Sequence, residues 1–165
     1  MAAGRLLTLL LILTAAAGCE RIKEIPGTER IMLAGRAFTL EVADDEPTRS
    51  RGLGGRESIP ADGGMLFIFP AAAVRSFWMR DCLVDIDIMF LDPRGRITAV
   101  HRMTPEPPRR DDETEAAYLG RLRSYASVYP AQFVIELQAG SLDALGLRVD
   151  QKVELDLARL KALAR

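Results

Sequence analysis

Apolar and polar positions alternate most regularly between positions 84 and 103. Val84, Ile86, Ile88 and Phe90 are apolar, with Asp85, Asp87 and Met89 between them. A period of two turns one face of a strand toward a core. Asp92-Pro93-Arg94-Gly95 follows, with Pro second and Gly fourth, as a turn requires. Arg96 to Met103 then returns as a second strand, and the whole predicts a β-hairpin. Setting Leu91 against Arg96 pairs Phe90 with Ile97, Ile88 with Ala99 and Ile86 with His101 on one apolar face. The other face then pairs Asp87 with Val100 and Asp85 with Arg102. Directly opposed residues share a face, and a one-residue slip would exchange the faces.

The same pattern extends along the chain. Phe38, Leu40 and Val42 alternate with Thr39 and Glu41 and predict a strand. Asp44-Asp45-Glu46-Pro47 starts a short helix carrying Thr48 to Arg51, with a capping acid, an acidic first turn and a proline tolerated there; Gly52 ends it. Pro60-Ala61-Asp62-Gly63 has turn chemistry, and the apolar run Met65 to Phe69, closed by Pro70, reads as a buried strand. Prolines and charges after Met103 predict an exposed loop, with a short surface helix from Glu113 to Arg123. Phe133 to Leu137 is a further strand. Ser141 caps a helical turn over Leu142 to Leu145 that Gly146 ends. Val153-Glu154-Leu155 is the last expected strand, and Leu157 to Leu163 a C-terminal helix. Short strands divided by turn signals imply a mainly β, single compact domain, β-sandwich-like or barrel-like, with a few short helices.

The first nineteen residues, MAAGRLLTLLLILTAAAGC, read differently. Arg5 supplies a positive start, Leu6 to Thr14 an apolar stretch, and Ala15 to Gly18 a small-residue cleavage zone. The apolar run, extended to Ala17, reaches roughly 18 Å as a helix at ~1.5 Å per residue, against a hydrocarbon core about 30 Å thick. A signal peptide is therefore expected rather than a membrane span. Ala16-Ala17-Gly18-Cys19 also resembles a bacterial lipobox, which implies lipidation of Cys19. The expected organisation is a signal peptide (1–18), a lipidated cysteine and polar tether (19–36), the β domain (37–156) and a helical tail (157–165). The protein is then exported and held by its lipid on the outer side of the cytoplasmic membrane or at the outer membrane.

Composition narrows the chemistry. A net charge of −1 with scattered basic residues offers no footprint for nucleic acid. Cys19 and Cys82 are the two cysteines; with Cys19 lipidated, Cys82 has no partner and reads as a small buried hydrophobe. One histidine and no paired cysteine spacing leave no basis for a metal site. No nucleophile elbow or phosphate-binding glycine loop is present, and no cofactor is implied.

Arg51-Gly52-Leu53, Gly64-Met65-Leu66-Phe67-Ile68-Phe69, Phe77-Trp78-Met79-Arg80 and Asp87-Ile88-Met89-Phe90 occur in this order, followed by Glu136-Leu137 and Gly140. Together they resemble the domain-of-unknown-function 192 family over roughly Ala37 to Leu155. The resemblance implies a compact mainly β fold, often exported, and no established activity. The sequence departs from the family pattern in three places. Gly54 and Gly55 stand where Met and an apolar residue are usual, Cys82 stands for Thr, and Asp85 for Pro. The segment from Glu106 to Arg123 is longer than usual.

The candidate groove residues are Arg51, Trp78, Arg80, Asp87 and Glu136. On a strand, Phe77 and Met79 face one way and Trp78 the other, so one side packs and the other is available to a ligand. Asp85 and Asp87 lie about 6.6 Å apart along a strand, with Arg102 opposite Asp85 as a surface ion pair. His101 is expected on the apolar face. Arg51, Asp87 and Glu136, if brought together, form a buried ion network. Three functions fit these residues. The first is a non-catalytic binding or accessory module of the cell envelope, taking a small polar molecule, glycan or protein. The second is a hydrolase of envelope carbohydrate with Asp87 and Glu136 as acid and base. The third is a purely structural envelope lipoprotein.

Overall fold

A computed structural model describes residues 25–165. The expected signal peptide, Cys19 and the first part of the tether lie outside the described residues. Twelve elements follow one another: β1 (Thr28–Leu33), β2 (Arg36–Ala43), α1 (Glu46–Arg51), β3 (Gly63–Ala73), β4 (Ser76–Phe77), β5 (Ile86–Leu91), β6 (Ile97–Met103), α2 (Glu115–Arg121), β7 (Tyr125–Ala126), β8 (Ala131–Gln138), α3 (Ser141–Leu145) and α4 (Leu157–Leu163). Six strands form one mixed sheet in the order β1-β2-β3-β8-β5-β6. Only β2 and β3 run parallel; the other neighbours are antiparallel. β1 and β6 are its edges, so the sheet does not close into a barrel. β4 and β7 make a separate two-stranded sheet. The fold is mainly β, as the pattern of short strands predicts.

Both faces of the large sheet are covered. One face carries Phe38, Leu40, Leu66, Met89, Phe133 and Ile135, packed with Leu142 of α3, Leu160 of α4 and Val153. The other carries Phe67, Ile86, Ile88, Phe90 and Val134, packed with Leu53, Ile59, Met79 and Tyr125. The central strands β5 and β8 are therefore buried almost without interruption, the signature of strands covered on two sides. Gly64 lets β3 and β8 approach. It sits opposite Leu137 at φ 147°, and a Cβ there would fall on the Glu136 carbonyl oxygen.

Local signals explain several elements. The Asp45 side chain accepts the Thr48 N–H at 2.8 Å, capping α1 where the acidic run predicts. α4 spans the expected residues, and Asp156 accepts the Arg159 N–H at 3.1 Å.

Other expectations are corrected. The tether expected over 19–36 contains β1, because Ile31 and Leu33 alternate into the core and Ala34 and Gly35 adopt φ 46° and 80°. Two successive positive φ values are the mark of a two-residue hairpin turn. Val153 to Leu155 is not a strand; Lys152 makes an isolated bridge with Arg96, and Val153 is buried in the core.

The β5–β6 hairpin forms with a different register: Leu91 faces Ile97, Phe90 faces Ala99, Ile88 faces His101, Asp87 faces Arg102 and Ile86 faces Met103. Two one-residue changes account for the shift. The loop is one residue longer, with Asp92 Oδ1 accepting the N–H groups of both Arg94 and Arg96 and the Arg96 carbonyl receiving the Asp92 N–H, and a bulge at Thr98 adds the second. The bulge sends Ile97 to the opposite core from Ala99. His101 remains on the Ile88 face, between the Phe90 and Tyr125 rings, with Nε2 2.8 Å from the Ala126 carbonyl oxygen.

The register moves the Arg102 partnership from Asp85 to Asp87. Asp85 precedes β5 and is exposed, whereas Asp87 is only 3% exposed. Asp87 Oδ1 accepts from Arg102 Nε at 3.2 Å, and Oδ2 accepts the buried Leu142 N–H at 3.0 Å. The N-cap of α3 is Gly140, which has no side chain, so Asp87 reaches across from β5 and supplies the cap expected of Ser141. We predict that Asp87→Ala costs about 1–3 kcal/mol in urea unfolding, the usual penalty for a buried donor left without its acceptor. Asp87→Asn keeps an acceptor for Leu142 and is predicted to cost less.

Candidate ligand pocket

A cavity of about 320 Å³ lies on the face opposite Asp87. Its wall comes from α1 and the following loop, the end of β3, the β4 strand and the Trp78–Cys82 segment; Glu136 of β8 lies at its base. Phe77 fixes one side by edge-to-face contacts with Phe67, Phe69 and Phe90, at centroid distances of 5.0, 6.5 and 5.5 Å. Met79 is buried as well, so Trp78 between them turns outward and is 46% exposed at the pocket. The expected division of this motif into a packed side and an available side is what the structure shows.

Four arginines line the cavity: Arg49, Arg51, Arg75 and Arg80. Arg49 Nη1 donates to the Ile68 carbonyl at 2.9 Å, and its guanidinium lies 5.3 Å from the Phe69 ring centroid. Arg75 lies 3.9 Å from the same ring, and its Nε is buried without a hydrogen-bond partner among the described residues. Burial and the neighbouring Arg49 charge lower the Arg75 pKa from its ordinary value. Arg80 is paired with Glu115 at 2.8 Å and Asp81 at 3.4 Å. The Arg51 side chain has no hydrogen-bond or ion-pair partner among the described residues.

The long segment before β7 braces this wall. Arg121 Nε donates to Glu113 at 2.7 Å, and Arg121 Nη2 donates to the Pro107 and Pro108 carbonyls. The Arg121 hydrogen bond holds the buried Glu113 carboxyl down at about 2. From α2, the Tyr118 hydroxyl accepts the Asp81 N–H at 3.1 Å. The Gly55 N–H donates to the Asp81 carbonyl at 2.8 Å, tying the loop after α1 to the Arg80–Asp81 segment.

Glu136 is the unusual group. It faces Met65 of β3 and Ile88 of β5 in register and is 4% exposed. Its Oε2 is shut from solvent and has no hydrogen-bond partner among the described residues. Burial alone pushes its pKa up to about 8, with no hydrogen bond or neighbouring charge opposing the shift. Gly52, at φ 52°, stands over it: a Cβ there would lie 3.7 Å from Oε2 and 3.4 Å from the Phe67 ring. The glycine ends α1 and leaves space against the carboxyl. Cys82 lines the same cavity, half-buried; burial first, then the Glu136 and Asp81 charges, push its thiol up to about 12. Such a thiol holds its proton and is a poor nucleophile.

Arg51, Trp78, Arg80 and Glu136 thus share one cavity, while Asp87 does not. Asp87 faces Leu137, one residue along from Glu136, and residues one apart on a strand point to opposite faces. The acid–base pair expected of Asp87 and Glu136 is not formed, nor is the ion network with Arg51. The sequence reading missed Arg49 and Arg75. Their neighbours Arg51 and Trp78 carried the only available signal, since charge alone does not report a cavity. Among the described residues, no three His, Cys, Asp or Glu side chains group as metal ligands.

Fold and pocket together define a small, mixed-sheet β domain with an arginine-rich cavity above a buried carboxyl. The chain matches the model of the family DUF192, described as "Uncharacterized ACR", over residues 29–155, and belongs to that family. Two solved structures are similar. One is a "putative transcription regulator" from Sinorhizobium meliloti 1021, with 27% identity and a TM-score of 0.60, covering 76% of this chain and 89% of its own. The other is a protein of unknown function from Novosphingobium aromaticivorans DSM 12444, with 25% identity and a TM-score of 0.60, covering 78% of this chain and 82% of its own. No curated protein matches the chain.

A carboxyl whose folded pKa is raised from 4.5 to about 8 keeps its proton in the folded state while the unfolded chain releases it. The contribution of Glu136 to folding stability is then greatest below about pH 4.5 and is lost as pH rises toward 8. We predict that Glu136→Gln removes this component, so the difference in unfolding free energy between wild type and variant moves against the wild type across that window. Urea unfolding at a series of pH values checks it; a constant difference contradicts the assignment.

Proposed function

We propose that this protein is an exported, lipid-anchored binding module of the cell envelope whose pocket captures a small polar ligand. The observation that carries the binding reading is Glu136, a buried carboxyl whose Oε2 has no partner among the described residues, at a cavity it shares with exposed Trp78. Buried polar groups are nearly always hydrogen-bonded, and an exception in a concave site points to a ligand. A cavity near 320 Å³ is at the small end of the ~300–1,000 Å³ range of ligand pockets, which favours a small molecule over a polymer or a protein surface. The export reading rests on the first nineteen residues, with Cys19 carrying the lipid.

A thermal-shift screen across sugars, organic acids, nucleotides and peptides tests this function. A ligand at a hundredfold excess over Kd stabilises by about 2.7 kcal/mol, a shift of several degrees for a protein of this size. The shift is predicted to be lost in Glu136→Leu and Trp78→Ala and retained in Asp87→Asn. Absence of any shift across the screen removes the small-ligand reading and leaves the structural one. Labelling with radioactive palmitate, lost in Cys19→Ser, tests the anchor.

A further inference from the structure

The binding reading leaves the ligand's chemistry open, and the distribution of charge in the cavity narrows it. Four arginines face the cavity with two glutamates, Glu46 and Glu136. Glu46 is itself paired with Arg49 at 3.3 Å, and Arg80 with Glu115. Arg49 and Arg75 crowd the same aromatic ring, and the charge of one opposes that of the other. Among the described residues no acid pairs with Arg75, which stacks on Phe69 and donates to the Ala71 carbonyl. Arg51 has neither a hydrogen-bond nor an ion-pair partner among the described residues, so its whole donor edge is open. At the base, no arginine of the wall hydrogen-bonds or pairs with Glu136 among the described residues, and its Oε2 has no partner. A ligand spanning them has to bring a separate complement to each.

Those complements are definable. A guanidinium binds carboxylates and phosphates through paired N–H donors. Arg51, the one of the four with its whole donor edge open, matches the two oxygens of a planar carboxylate. A hydroxyl both donates and accepts, so it completes Glu136 in either protonation state. An ammonium would complete only the ionised form and would be repelled by the arginines. Trp78, half-exposed at the pocket, offers an apolar ring face with a polar edge, which suits the C–H face of a sugar ring.

We propose that the pocket binds a small hydroxylated carboxylate, a single-ring sugar acid, with its carboxylate on Arg51, a hydroxyl on Glu136 and its ring against Trp78. This proposal rests on the binding reading above.

Calorimetric titration of the full chain with glucuronate and galacturonate, their neutral parents glucose and galactose, glucose 6-phosphate and acetate tests it. At least one uronate is expected to bind, at least tenfold more tightly than its neutral parent, glucose 6-phosphate or acetate. Arg51→Gln is expected to erase the preference of uronate over neutral sugar, and Glu136→Leu, which removes both donor and acceptor, to weaken uronate at least tenfold while leaving the weak binding of acetate unchanged. Arg51 is exposed, so its substitution leaves the fold intact. Equal affinity for uronate and neutral parent overturns the anionic class, as does a preference for the phosphate; in both cases the binding reading stands. No binding by any of these probes overturns the proposal, and the broader thermal-shift screen then decides the binding reading separately.

Discussion

Everything in this domain depends on β8 being hidden from water on every side. It is hydrogen-bonded to β3 on one edge and β5 on the other, and each of its faces belongs to a different core. Such a strand demands apolar side chains at successive positions, because a buried polar group without a partner costs more than most contacts return. Gln132 meets the demand by donating to the Phe69 and Pro70 carbonyls. Glu136 does not, and it stands where the backbone is tightest, its carbonyl occupying the space that a side chain at position 64 would need.

Three buried carboxylates among the described residues make the contrast. Glu113 is held by Arg121 and by the Arg110 N–H, and its pKa falls. Asp87 is held by Arg102 and caps α3. Both fasten one part of the chain to another. Glu136 fastens nothing and pushes its own pKa upward. Its neighbours are placed at some structural expense: α1 ends at a left-handed glycine, the Trp78 segment is held by Phe77 and Met79 on either side, and α2 braces Asp81. The rigid elements thus hold a cavity against the one buried acid, among the described residues, with an unsatisfied oxygen.

The legible parts of the sequence were those with local causes. The acidic start of α1, the C-terminal helix and the β5–β6 hairpin each follow from caps, turns and periodicity within a few residues. Both ends of the Trp78 motif also behaved as alternation requires. What could not be read depended on distant partners. The longer loop that Asp92 closes and the bulge at Thr98 together moved Arg102 from Asp85 to Asp87. The second layer over β5 turned an apparently solvated Asp87 into a buried cap. Ile31 and Leu33 looked like tether because the alternating run is short and its partner strand lies beyond a two-residue turn. Glu136 was singled out by motif alone; its isolation is a property of the packed strands and has no local sequence signal.

The central claim is that Glu136 is a neutral, unpartnered acid at neutral pH. Its side-chain carboxyl carbon, followed by NMR in selectively labelled protein through a pH titration, reports this directly. The account predicts a midpoint near 8 and no titration step near the ordinary glutamate value at this site. A midpoint near 4.5 would mean that the carboxylate is solvated or paired in the folded protein, and the argument for a ligand meeting it in the pocket would fail.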